Sequence, residues 1–139
     1  MRILLAGVVF ICIVVGRNQS LANDCQAIIA DANDANYQTM QLVEQIMSDH
    51  RLVANGSLSR ESVTAKCSML SRMHADSQRA MNYANKTANT VSRATSVCNE
   101  AIAREAVKVE TSMINLSDSL RDSMARMSQD GRSLGCSSF

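Results

Sequence analysis

Apolar residues recur every three to four positions along most of the chain. In the first run they fall at Ile28/Ile29, Ala32, Ala35, Thr39/Met40, Val43, Ile46/Met47, His50 and Val53, starting from Cys25. That alternation is the α-helical period, carried for about eight turns. A second run holds Val63, Cys67, Leu70, Met73/His74, Ser77, Met81 and Ala84. A third holds Cys98, Ile102, Glu105, Val109, Met113, Leu116, Leu120, Met124 and Met127. No period-two strand pattern and no internal repeat interrupts them.

The ends of these runs predict where helices start and stop. Asn23 or Asp24 is suited to cap the first by accepting a backbone N–H. Asn55-Gly56 tolerates the left-handed backbone that ends a helix, and Ser57 or Ser59 is suited to cap the second. From Leu58 to Asp130 there is neither glycine nor proline. As one helix that stretch is about 110 Å long, and the first run covers less than half of its stripe. Asn82, Asn85, Asn89, Thr90, Ser92, Thr95 and Ser96 compete for local backbone groups, so the chain is expected to reverse among them.

The cysteines sharpen that expectation. With the Asn55–Leu58 turn as the bottom, Cys25 stands about 44 Å up the first helix and Cys67 about 14 Å up the second. A disulfide needs Cα atoms within about 7 Å, so these two cannot bond. A corner near Ser92 puts Cys98 at about 42 Å, level with Cys25. The expected corner is therefore Asn89 to Thr95, with disulfides Cys25–Cys98 and Cys67–Cys136. Each bond closes a loop worth about 4 kcal/mol in the loop-entropy account. The predicted fold is all-α: an antiparallel up-down-up three-helix bundle with helices at roughly 24–54, 59–90 and 95–129. Gly131 and Gly135 in "DGRSLGCSSF" predict a flexible tail from about residue 130.

The first 22 residues read as a cleaved signal peptide. Arg2 supplies the basic n-region, Ile3 to Gly16 the apolar h-region, and Ser20 and Ala22 the small residues before the cut. The h-region is shorter than the ~20 residues that span a bilayer, so no stable membrane anchor is expected after cleavage. Processing removes Cys12 and leaves residues 23–139 as one domain with four cysteines. An even number in a secreted chain reads as two disulfides, in the extracellular space or, in a bacterium, the periplasm.

The mature chain carries 12 Lys/Arg against 13 Asp/Glu, too balanced for nucleic acid or a bulk anionic surface. The charge is nevertheless unevenly spread. The first helix holds Asp24, Asp31, Asp34, Glu44 and Asp49 against Arg51; the second holds Arg60, Lys66, Arg72, Arg79 and Lys86 against Glu61 and Asp76. An acidic helix beside a basic one sets the register of their packing.

Candidate chemistry is sparse. His50, expected on the apolar face, and His74 are the only histidines, and no nucleophile elbow, metalloprotease, phosphate-loop or calcium-loop motif is present. No enzymatic activity and no cofactor is expected. Methionine stands out. Met40, Met47, Met69, Met73, Met113, Met124 and Met127 lie on the stripes, with Met47, Met69, Met73, Met124 and Met127 expected in the lower half of the bundle. With no Phe or Trp on the stripes, methionine is first of all core filling. Its unbranched thioether also suits a plastic interior or groove for an apolar ligand or partner helix. Met69, Met73 and His74 form the one cluster with the donor chemistry of Cu(I). Three sequons, at Asn55, Asn85 and Asn115, are candidate glycosylation sites if the source is eukaryotic.

The expected function is binding another protein or receptor. The alternatives are a carrier of a small hydrophobic ligand in the Met-rich core and extracellular or periplasmic copper handling. A dimer is compatible with wide apolar stripes.

Overall fold

The computed structural model describes residues 19–54 and 62–137. Most of the expected leader, the Asn55-Gly56 turn, the Ser57 and Ser59 caps, the Asn55 acceptor and Phe139 lie outside these residues. The fold is an all-α three-helix bundle: α1 Gln19–Ala54, α2 Val63–Val97 and α3 Glu100–Ser133. Two disulfides tie it, Cys25–Cys98 and Cys67–Cys136, with Cα separations of 5.2 and 5.5 Å. Both are the expected pairs.

The helix boundaries differ from expectation in instructive ways. Helix α1 passes through Asn23 and Asp24, so neither caps it. Helix α2 is capped by Ser62, whose Oγ accepts from the Ala65 N–H at 3.3 Å. The largest correction concerns the corner. Helix α2 runs through Asn89–Thr95 without a break and stops at Val97, and the chain reverses at Cys98 and Asn99. Both residues have extended backbones, and Asn99 Oδ1 accepts from the Ile102 N–H at 3.1 Å to cap α3.

Two physical reasons account for the shift. Thr87, Thr95 and Ser96 turn their hydroxyls back onto the carbonyls of Tyr83, Ser92 and Arg93, bonds that the helix accommodates. Ala84, Thr87, Ala88, Val91 and Ala94 are meanwhile buried, and that packing outweighs weak local propensity. The register also moved. Asp49 pairs with Arg72, and Cys25 with Cys98. The end of α1 therefore lies opposite the turn that follows Cys67. The start of α2 sits about 7 Å below it, not level with it.

Buried positions follow a seven-residue repeat more closely than the straight-helix period. On α1 the buried residues are Cys25, Ile28, Ile29, Ala32, Ala35, Thr39, Val43, Ile46 and Asp49; on α2 the series Leu70, Met73, Ser77, Ala80, Ala84, Thr87, Val91 and Ala94 is buried, with Asp76, Ala88 and Thr90 beside it. On α2 the series 70, 73, 77, 80, 84, 87, 91, 94 alternates steps of three and four without a slip, the signature of a left-handed supercoil; on α1 the alternation holds from Cys25 to Thr39 and shifts by one position at Val43. Helix α3 slips once, stepping 109, 113, 117, so its later core is Ser117, Leu120, Met124, Met127 and Gly131. Two four-residue steps in succession locally unwind such a coil.

Helix α2 is the centre of the assembly. Close backbone approaches join it to α1 and to α3, and among the described residues none joins α1 to α3. Its seam residues explain this: Ala80, Ala84 and Ala94 are fully buried, and alanine lets two neighbouring backbones come near.

The tail is also corrected. Helix α3 continues past Asp130, and Gly131 is buried inside it. Gly135 then adopts φ +77°. The Gly135 N–H bonds to the Arg132 carbonyl at 3.0 Å and the Cys136 N–H to the Gly131 carbonyl at 2.9 Å. This is a Schellman cap. It turns the chain so that Cys136 meets Cys67.

Candidate functional site

The methionines separate into groups. One apolar cluster contains Val43 and Ile46 of α1, Leu70, Met73 and Ala80 of α2, and Leu120 and Met127 of α3. Met47, Met69, Met81, Leu42 and Leu116 pack against it. The structure thus brings together Met47, Met69, Met73 and Met127, as expected for the lower half. Met113 belongs to a smaller cluster with Ala84 and Ala88, while Met40 and Met124 belong to neither. Met73, Met113, Met124 and Met127 are buried, and Met40, Met47 and Met69 are half-buried. Above these, Cys25, Ile28, Ile29, Ala32, Val91, Ala94, Ile102 and Ala106 form the upper core.

Of the proposed thioether–imidazole set, Met73 is buried, and Met69 and His74 are half-buried. All three sit on α2, and both thioethers belong to the lower cluster. No group of three or more His, Cys, Asp or Glu suited to a metal ion occurs among the described residues.

His50 is exposed, contrary to expectation, and its neighbour Asp49 takes the buried place at 2% exposure. A straight helix drifts about 20° per heptad from a supercoiled one, so over the roughly three heptads from Cys25 to Asp49 the seam moves by more than half of one position. Asp49 is fully engaged. Arg72 donates from Nε to Oδ2 at 3.0 Å and from Nη2 to Oδ1 at 3.1 Å, and Gln45 Nε2 donates to Oδ1 at 3.2 Å. Asp76, also buried, pairs with Arg79 one turn along α2.

A second link joins the same helices higher up. Lys86 Nζ lies 2.9 Å from Asp31 Oδ1, and Thr90 Oγ1 donates to Asp31 Oδ2 at 3.4 Å. The hydrogen bond from Lys86 lowers the Asp31 carboxyl below its usual range, and the same bond raises the Lys86 ammonium above its own. Both interhelical ion pairs therefore join the acidic α1 to the basic α2. Just above them a shallow groove is lined by Asp24, Ala27, Ile28, Asp31, Arg93 and Val97. Periodicity at 3.6 residues missed the Asp49 clamp, and a seven-residue repeat anchored at Cys25 points to it.

On the outer surface, Val107 and Ile114 are 50% and 47% exposed although both are large and apolar. They stand seven residues apart on α3, hence at the same position of the repeat. Asn85 and Asn115 are both exposed and both inside helices. No helix among the described residues is long and apolar enough to cross a membrane. The two disulfides belong to an oxidising compartment, such as the extracellular space. No family model, no curated protein and no solved structure matches this chain.

Proposed function

We propose that this is a secreted, non-enzymatic protein that binds another protein through the exposed flank of α3. The observation that carries the reading is the pair Val107 and Ile114. They are two large apolar side chains at one repeat position, half in water. Exposed apolar groups so aligned suit the stripe of a partner helix or the floor of a partner's groove. The disulfide-tied bundle supports it further, because a rigid surface loses little entropy on binding. Secretion rests on the leader-like first 22 residues together with the two disulfides.

The native mass spectrum of protein purified from its source tests this. A stoichiometric protein adduct that reappears on the recombinant chain, and is lost in a V107E/I114E variant of unchanged melting, is the expected result. A bound mass of lipid size replaces this reading with the carrier, which the clustering of Met47, Met69, Met73 and Met127 favours. A copper mass replaces it with metal handling at Met69, Met73 and His74. The same spectrum reads any hexose at Asn55, Asn85 and Asn115, and any dimer.

A further inference from the structure

The covalent wiring of the bundle is asymmetric. Helices α1 and α2 are joined by the chain at the bottom and by Cys25–Cys98 at the top. Helices α2 and α3 are joined by the chain at the top, through Cys98 and Asn99, and by Cys67–Cys136 at the bottom. Both outer helices are thus pinned to α2 at both ends. At the top Cys25 is bonded to Cys98, two residues before α3, so all three helices meet at that corner, whereas at the bottom nothing covalent among the described residues pins α1 to α3.

The non-covalent links share that asymmetry. Three interhelical polar links, Asp31–Lys86, Asp31–Thr90 and Asp49–Arg72, run from α1 to α2. Close backbone approaches join α2 to each neighbour, and none joins α1 to α3. Instead, side chains bridge that third seam. Asp31, Gln45 and Asp49 mark the flank of α1 turned to α2, and Met40 and Met47 lie on the other flank. Met47 and Leu116 of α3 pack against the same lower cluster, both half-buried.

We propose that the bundle opens along the α1–α3 seam, with α1 and α3 moving as two flaps on α2. The three helices and both disulfides stay intact. The motion parts only side-chain contacts, and it exposes the lower cluster of Met73 and Met127. It is a sub-global opening, lower in free energy than unfolding, and it is independent of the surface at Val107 and Ile114.

The buried methionines report this motion directly. Hydrogen peroxide transfers one oxygen to an accessible thioether and leaves as water, so oxidation at Met73 and Met127 counts openings. The experiment compares the full chain, with native disulfides, carrying one of two thiol-to-thiol cross-links. E44C/S119C spans the α1–α3 seam between exposed positions that the register puts at one level. D31C/K86C spans α1 and α2 at the existing ion pair. The seam link is expected to slow oxidation of Met73 and Met127 by about tenfold, and the control link to change it less than about twofold. N33C/K108C, higher on the same seam, is expected to repeat the effect. Equal slowing by both kinds of link means that methionine is reached through global unfolding and overturns the proposal. So does oxidation that no link slows.

Discussion

Arg72 reaches from α2 to the buried carboxylate of Asp49 on α1 and holds both of its oxygens, at 3.0 and 3.1 Å. The two partners differ in exposure: the Asp49 side chain is 3% exposed and that of Arg72 56%. The aspartate is therefore the group at risk. Removing Arg72 leaves a buried charge with only Gln45 as donor. The Arg72→Ala variant is expected to lose about 2 kcal/mol, below the 3–5 kcal/mol of a fully buried pair because water reaches the guanidinium side. Asp49→Leu removes the charge itself and is expected to cost less than Arg72→Ala. Urea midpoints of the two variants decide this, and the reverse order contradicts the clamp.

The small residues of α2 set a second expectation. Ala84 is fully buried where α2 meets its neighbours, so a larger side chain has to push backbones apart. Ala84→Leu is expected to destabilise by about 1–3 kcal/mol, the usual range for overpacking. Met73→Leu, a swap of similar volume in the lower cluster, is expected to cost less than about 1.5 kcal/mol. Thermal and urea unfolding of the pair measure whether tight packing resides in the alanine seam or in the methionine cluster.

The class of fold, the helix count and the disulfide pairs were legible because each rests on strong physics. An apolar stripe sustained for many turns has few alternatives, and a disulfide tolerates little error in reach. The corner was not legible. Asn89, Thr90, Ser92 and Thr95 argue locally against helix, and only the burial of Thr90, Val91 and Ala94 between helices reverses that argument. The choice between His50 and Asp49 failed for a related reason. Supercoiling is a property of helices together, and its drift builds to more than half of one position only over the length of helix between Cys25 and Asp49. Val107 and Ile114 lay outside the stripe of α3 and carried no motif, so nothing in the periodicity distinguished them.

The Asp31–Lys86 pair gives stability a defined dependence on pH. The Asp31 carboxyl lies below its reference value of 3.8 in the folded state, through the Lys86 hydrogen bond first. Its contribution is fully present above that reference and is lost as pH falls through the lower, folded value. The Lys86 ammonium lies above its reference of 10.5, through the same bond, so its contribution is present below 10.5 and is lost as pH rises through the folded value. Lys86→Met is expected to flatten both limbs and to change the neutral plateau little, since the pair is solvent-exposed. Urea midpoints from about pH 5 down to pH 2, at low and high salt, read the acid limb. An acid limb as steep in Lys86→Met as in the parent assigns it to other carboxylates.

Gly135 offers the cleanest separation of backbone from packing. Its φ of +77° is the left-handed region, where a Cβ meets its own chain, yet a Cβ built there has no other atom within 4 Å. Any loss on substitution is therefore conformational. Gly135→Ala is expected to cost about 1 kcal/mol, and Gly135→Asn less, because asparagine enters that region more readily. The effect should be local, since this turn is held by bonds from Leu134, Gly135 and Cys136 to the last carbonyls of α3, Asp130, Arg132 and Gly131. Hydrogen exchange should therefore quicken at the Gly135 and Cys136 amides of Gly135→Ala and stay unchanged at the centre of α3. Equal stability of Gly135→Ala and the parent would mean that the Cys67–Cys136 bond alone shapes the turn, with the Schellman cap adding nothing.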